Sequence, residues 1–178
     1  MLVNKLGIAE LSVLQSAEEQ GLARAYARLL GEIRTDTPLT CGLVRHIHAI
    51  VFGDLYEWAG HWRTVWIRKP GITWPPPDFL DRLMIEFERE TLSRWPVNVV
   101  NDDVDFCRAA AEIQGEFLTI HPFREGNART IKLLTDLLAV QSGRPLLAYD
   151  ESASGVDDYI EATKRAFRRN HEPLARSR

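Results

Sequence analysis

The chain has 178 residues, 45% of them apolar, which suits one domain burying roughly two-thirds of the surface its unfolded form exposes. Its 22 basic and 25 acidic residues leave a formal charge of -3, which excludes a nucleic-acid or anionic-membrane binder held by bulk charge. Two cysteines, Cys41 and Cys107, offer neither a metal-ligand spacing nor a disulfide framework.

The opening MLVNKLGIAELSVL is interrupted by Asn4, Lys5 and Glu10 and lacks the unbroken apolar segment of a signal peptide. No run approaches membrane-spanning length. The expected location is the cytoplasm, with export by a system that needs no N-terminal signal left open. From Ile8 to Leu30 the apolar residues recur near a 3.6 period, predicting a helix or helix pair that stops at Gly31. Thr37-Pro38-Leu39 opens a second helix ending near Gly53. Trp62 to Ile67 is rich in aromatic and β-branched residues and predicts a strand, turned by Lys69-Pro70-Gly71 toward Ile72-Thr73-Trp74. Pro75 to Asp78 stops this hairpin, and Asp78 caps a helix whose expected stripe is Phe79, Leu83, Phe87, Thr91 and Leu92. Asn101-Asp102-Asp103 caps the next, where Phe106, Ala109, Ala110, Ile113, Phe117 and Ile120 share one face. Ile131, Leu134, Leu137 and Leu138 mark another, ending at Ser142-Gly143. A last one runs from Ser154-Gly155 to Phe167. The fold class is mainly α, a helical bundle with one short β-hairpin, split into an N-terminal helical segment (1–35) and a core (36–178).

The helix ending at Ile120 runs into the one marked by Ile131 through TIHPFREGNARTIKLL. Pro122 cannot continue a helix, so His121 falls just past the end of the buried one, in a loop able to face a cleft. Gly126-Asn127-Ala128 enters a helix whose free amides and positive dipole end suit an anion. Arg129 and Lys132 stand near that end, where cations oppose the macrodipole, which hints at an external anionic partner. Glu125 suits Mg²⁺, which takes one or two protein oxygens beside phosphate and water. A histidine titrating near 6.5 adds a proton acceptor. From spacing alone, phosphoryl or nucleotidyl transfer and a plain pair of helix caps with solvated cations stand side by side.

His121-Pro122-Phe123-Arg124-Glu125-Gly126-Asn127-Ala128-Arg129 resembles the Fic (Fic/Doc) family motif, His-x-Phe-x-(Asp/Glu)-Gly-Asn-Gly-Arg-x-x-Arg. VFGDLYEWAGHWRTVWIRKPG is similar to that family's approach to its hairpin flap, and YIEATKRAFRRNHEPL to its closing helix, so roughly Leu39 to Leu174 is covered. The resemblance implies the helical Fic fold and a Mg²⁺-dependent protein adenylyltransferase using ATP. In it His121 deprotonates a Ser, Thr or Tyr hydroxyl of a target protein, which attacks the α-phosphate. Phe123 anchors the loop; Glu125 holds the metal; Gly126, Asn127 and Ala128 line the anion hole; Arg129 meets the β-phosphate. The hairpin, matched by Arg63 to Trp74, positions the target by strand pairing, giving Arg63, Thr64, Val65, Trp66, Ile67 and Thr73 as flap residues.

Two positions depart from the pattern. Ala128 replaces the second Gly, harmless inside a helix start but costly at positive φ. Lys132 replaces the second Arg, keeping charge and losing the planar fork that meets the γ-phosphate. The alternatives are a catalytically impaired Fic-fold binder of nucleotide or partner and a Doc-type phosphotransferase; the Doc branch has Lys where Ala128 stands and no Gly at 126, which favours AMP transfer. Many members carry an inhibitory helix with Ser/Thr-x-x-x-Glu-Gly/Asn. Ser16 to Gly21 comes close with the acid one position early, leaving either a separate small antitoxin of a toxin-antitoxin pair or Glu18 or Glu19 in that role. His46 and His48, two apart on a helix, cannot bind one metal from a single face and read as structural. Tyr159 resembles a residue near the nucleotide in some members, with a core role as the alternative. Lys164 to Arg169 reads as a solvated helix end.

Overall fold

The axis of the computed structural model, which describes residues 2–69, 71–150, 152–166 and 170–176, is α4 (Asp103–Ile120). Asp102 caps it, its carboxylate accepting from the Asp105 amide at 2.8 Å. The expected stripe from Phe106 to Ile120 is buried throughout. Each large side chain so buried contributes about 1.5–3 kcal/mol of transfer free energy. Around this axis pack α3 (Leu80–Glu90), α5 (Asn127–Gln141), α6 (Ala153–Ala166) and α7 (Glu172–Arg176). On the other side α1 (Leu11–Glu32) and α2 (Cys41–Phe52) lie against each other and against α5. Leu14, Ala25 and Leu29 of α1 join the same apolar cluster as the long helices. The mainly helical expectation matches this architecture.

Several boundaries differ from the sequence reading. α1 starts at Leu11 rather than Ile8, and passes through Gly31 to Glu32, because a glycine in a last turn costs only about 1 kcal/mol while Leu29 beneath it is buried. α2 is capped by Thr40, whose hydroxyl accepts from the Leu43 amide at 3.0 Å, and ends at Gly53 as expected. Asp78 is not a cap: Pro77–Phe79 forms a 3-10 turn, and α3 begins after it with Leu80, Met84 and Phe87 inward. Phe79, expected on the stripe, is instead 45% exposed. α7 was not anticipated; a one-turn helix carries too few residues for a period. Phe167 to Arg169, at the expected end of the preceding helix, lie outside the described residues.

The largest correction concerns the hairpin. No strand forms over Trp62–Ile67; the ladder is β1 (Arg68–Lys69) antiparallel to β2 (Ile72–Thr73), with Arg68 opposite Thr73 and Lys69 opposite Ile72. The preceding segment is claimed by tertiary hydrogen bonds instead. The Arg63 amide donates to Pro122 O at 2.8 Å, and its guanidinium donates to three further carbonyls. Such pairing overrides the β-propensity of Trp, Val and Ile. Pro70, in the expected turn, lies outside the described residues; its neighbour Gly71 has φ 77°.

Candidate active site

Where α4 ends, the chain turns through His121 in the left-handed region, φ 53° and ψ 58°. That conformation is unfavourable for a side-chain-bearing residue. The surroundings enforce it. The His121 amide closes α4 on Phe117 O at 2.8 Å, Arg63 Nε donates to His121 O at 2.9 Å, and Pro122 forbids the preceding residue a helical ψ. The ring is half-buried, with the Trp74 ring 4.2 Å away centroid to centroid. Its Nδ1 lies 3.4 Å from the Leu118 carbonyl, which only accepts, so Nδ1 carries the proton and Nε2 keeps its lone pair. Burial lowers the imidazole pKa to about 4, with Lys69 and Arg63 adding in the same direction.

The loop beyond is built on aromatic packing and one amide. Phe123 is fully buried and its ring stacks on His48 at 3.7 Å. Asn127 clasps the same residue twice, its Nδ2 donating to Phe123 O and its Oδ1 accepting from Phe123 N, both at 2.9 Å. The Asn127 side chain is therefore occupied within the loop, and its backbone amide stands at the open end of α5. Gly126 caps α5 at φ 77°, and a Cβ there would come within 2.3 Å of the Phe52 ring. Ala128 sits in the first helical turn without positive φ, so its methyl brings none of the strain considered above. The amides of this turn have no intrahelical acceptor and point out of the helix end, which makes the cradle.

Opposite charges gather beside it. Arg129 donates to Glu18 Oε2 of α1 at 2.7 Å, lies 3.6 Å from Glu125 Oε1 and stacks its guanidinium 4.8 Å from the Phe52 centroid. Glu18 is buried and also accepts from Tyr56 Oη at 2.5 Å. Glu18, Tyr56, Glu125 and Arg129, with Leu14 and Gln15, line a cleft of about 310 Å³. Glu19 faces solvent and takes no part. Lys132 turns elsewhere: its Nζ lies 4.1 Å from the Tyr149 ring centroid and 4.4 Å from that of Tyr159, between two aromatic faces. Glu125 is half-exposed, with Oε1 accepting from the Gly126 amide at 2.9 Å. Among the described residues no group of three or more His, Cys, Asp or Glu could hold a metal. One carboxylate beside an anion cradle fits an ion that draws its other oxygens from phosphate and water, as Mg²⁺ does.

The flap residues divide sharply. Thr64, Val65, Trp66 and Thr73 are exposed and Ile67 half-buried, whereas Arg63 is buried, holding His121 O, Val65 O and Pro75 O at 2.8–2.9 Å. Of the three tryptophans near the hairpin, Trp74 is buried with Nε1 donating to Leu118 O at 2.9 Å, Trp62 is half-buried, and Trp66 is 55% exposed. Two residues do more than the sequence reading gave them, Arg63 being named there only for the flap and His48 only as structural. Arg63 ties the hairpin segment to the loop that begins at His121. His48 accepts from the Gly60 amide at Nδ1 (2.8 Å), places Nε2 3.1 Å from Glu125 O as donor, and stacks on Phe123. Buried helix histidines beside an aromatic run are common in cores, so the sequence held no signal for that bond.

The family model described as Fic/DOC family matches residues 38–139. The probable protein adenylyltransferase y4lH of Sinorhizobium fredii is 30% identical over 144 residues, 81% of this chain and 73% of that protein. Protein adenylyltransferase VbhT of Bartonella schoenbuchensis is 30% identical over 145 residues, which cover 80% of this chain but 30% of that longer protein. Among solved structures, BepC from Bartonella tribocorum with bound AMPPNP superposes at a TM-score of 0.80 with 19% identity, covering 99% of this chain and 90% of that one. At that identity the likeness speaks for the fold.

Proposed function

The chain belongs to the Fic/DOC family, and from that premise we propose that it is a protein adenylyltransferase, moving AMP from ATP to a Ser, Thr or Tyr hydroxyl of a target protein. The observation that carries this reading is the pairing of a neutral imidazole, Nε2 unprotonated, with the amide cradle of α5 one short loop away. His121 Nε2 takes the hydroxyl proton; the freed oxygen attacks the α-phosphorus; the bond to the bridging oxygen of the β-phosphate breaks, and pyrophosphate leaves. The first-turn amides from Asn127 to Arg129 receive phosphate oxygens, and Arg129 meets the β-phosphate. Glu125 would hold Mg²⁺, which when bound neutralises charge on the leaving pyrophosphate. The exposed edge at Thr73 and the largely exposed Trp66 ring, with Arg68 over one face, support a flap that receives the target chain.

A restrained form of the same enzyme is favoured by the contact between Glu18 and Arg129. A carboxylate from α1 occupies the cation that would take a phosphate. With Lys132 lodged between Tyr149 and Tyr159, the restraint falls on the first cation of the motif rather than the second. A toxin checked by a separate small antitoxin is the other route to control. Incubation with α-labelled and, separately, γ-labelled ATP and a cell lysate tests the reaction. Label from the α position alone, lost in His121→Ala by about 10²–10⁴-fold, is the expected result. Label from the γ position alone makes the protein a phosphotransferase, and label from neither makes it a silent binder.

A further inference from the structure

Between α3, the end of α4 and the flap runs a groove of about 560 Å³ that the reaction does not use. Its floor is apolar, made by Trp74, Phe87 and Ile120, and its rim carries Glu86, Glu90 and Glu116. No basic side chain is among the described residues that line it. Arg89 reaches Glu90 from the outer face at 2.7 Å, and His171 Nε2 meets Glu116 Oε1 at 2.9 Å, so two of the three carboxylates have a partial partner. The groove is continuous with the catalytic end. Ile120 directly precedes His121, the Trp74 ring on its floor lies 4.2 Å from the His121 ring, and Thr73, in the flap strand β2, closes one side.

We propose that this groove docks a basic side chain of the target, on the same segment that presents the hydroxyl, and so sets which hydroxyls are modified. This rests on the adenylyltransferase reading. An arginine or lysine stem lies well on apolar floor while its head meets a carboxylate rim. Thr73 belongs to β2 and also lines the groove, so a segment paired along β2 lies at the groove's side, close to His121. The three glutamates come from two helices that frame an opening rather than from one solvated face, so their summed field falls on whatever occupies it.

A degenerate peptide library built around one central Ser, Thr or Tyr tests this with two separate readings: the peptides retained by the protein and the peptides that acquire AMP. Enrichment of Arg or Lys beside the central residue is expected in both pools. Glu86→Lys with Glu90→Lys, a change clear of the catalytic loop and checked for folding by circular dichroism, should reverse the retained pool toward Asp and Glu, with about tenfold weaker binding of the basic peptides. A retained pool without basic enrichment, or one the double variant leaves unchanged, overturns the proposal. Basic enrichment in the retained pool with AMP on no peptide upholds the groove and removes the transfer reading.

Discussion

A left-handed histidine costs roughly 1–3 kcal/mol, and His121 is the one non-glycine residue with positive φ among those described. The gain is a ring pressed against Trp74 with Nδ1 turned to Leu118 O and Nε2 left unprotonated. Because burial depresses the pKa to about 4, the neutral form prevails at every pH above that value, including the range where a free histidine is half protonated. An NMR titration of the His121 ring should therefore give a midpoint near 4; one near 6.5 would mean a solvated, loosely held base. Arg63 is the main device of this geometry. Arg63→Lys keeps the charge but can meet few of the three carbonyls, and should lower unfolding stability by about 2–3 kcal/mol in urea titrations. Ala128→Gly is expected to raise no rate, since Ala128 is already helical, and to cost about 0.5–1 kcal/mol; faster AMP transfer by this variant would show that the methyl crowds the nucleotide.

At the scale of elements, α1 is both scaffold and candidate latch. Removing it would strip Leu14, Ala25 and Leu29 from the core, so a truncation cannot isolate the Glu18 contact. Glu18→Gln keeps the shape and the Tyr56 partner while freeing Arg129 from an opposite charge. The restrained reading expects auto-adenylylation to rise several-fold, whereas a fall would identify Glu18 as the residue that orients Arg129 for phosphate. The sequence disclosed as much of this as was local. Period and caps placed α4 and the start of α5, because Asp102 and the stripe from Phe106 to Ile120 lie within single turns of one another. It also gave the motif residues their place at a helix entrance. What it concealed was contact between distant segments: Arg63 diverting its neighbours from a ladder, Glu18 meeting Arg129, and Lys132 finding two tyrosines. Trp62 to Ile67 has the composition of a strand, yet that composition equally suits a half-buried segment held by other bonds.

Over the whole molecule, two neutral imidazoles flank the loop that leads into α5, His121 at its start and His48 beneath it. Both have pKa values lowered to about 4, burial being the first cause in each. His48 is wholly enclosed. Its unfolded form titrates near 6.5, so between about pH 6.5 and 4 the unfolded chain binds a proton that the folded chain refuses. The stability this represents is fully present above 6.5 and drains away as pH falls toward 4, by about 2–3 kcal/mol for His48 alone. Comparing urea denaturation of the wild type and His48→Gln at pH 7.5 and 4.5 isolates that contribution, since carboxylates common to both cancel in the difference. The variant should be the less stable at pH 7.5, having lost the stack on Phe123, and the gap should narrow by about that amount at pH 4.5. An unchanged gap would mean that folded His48 takes up a proton as readily as the unfolded chain. Its Nδ1 would then have given up the Gly60 amide, and the loop carrying Glu125 would be held by Phe123 and Asn127 without help from α2.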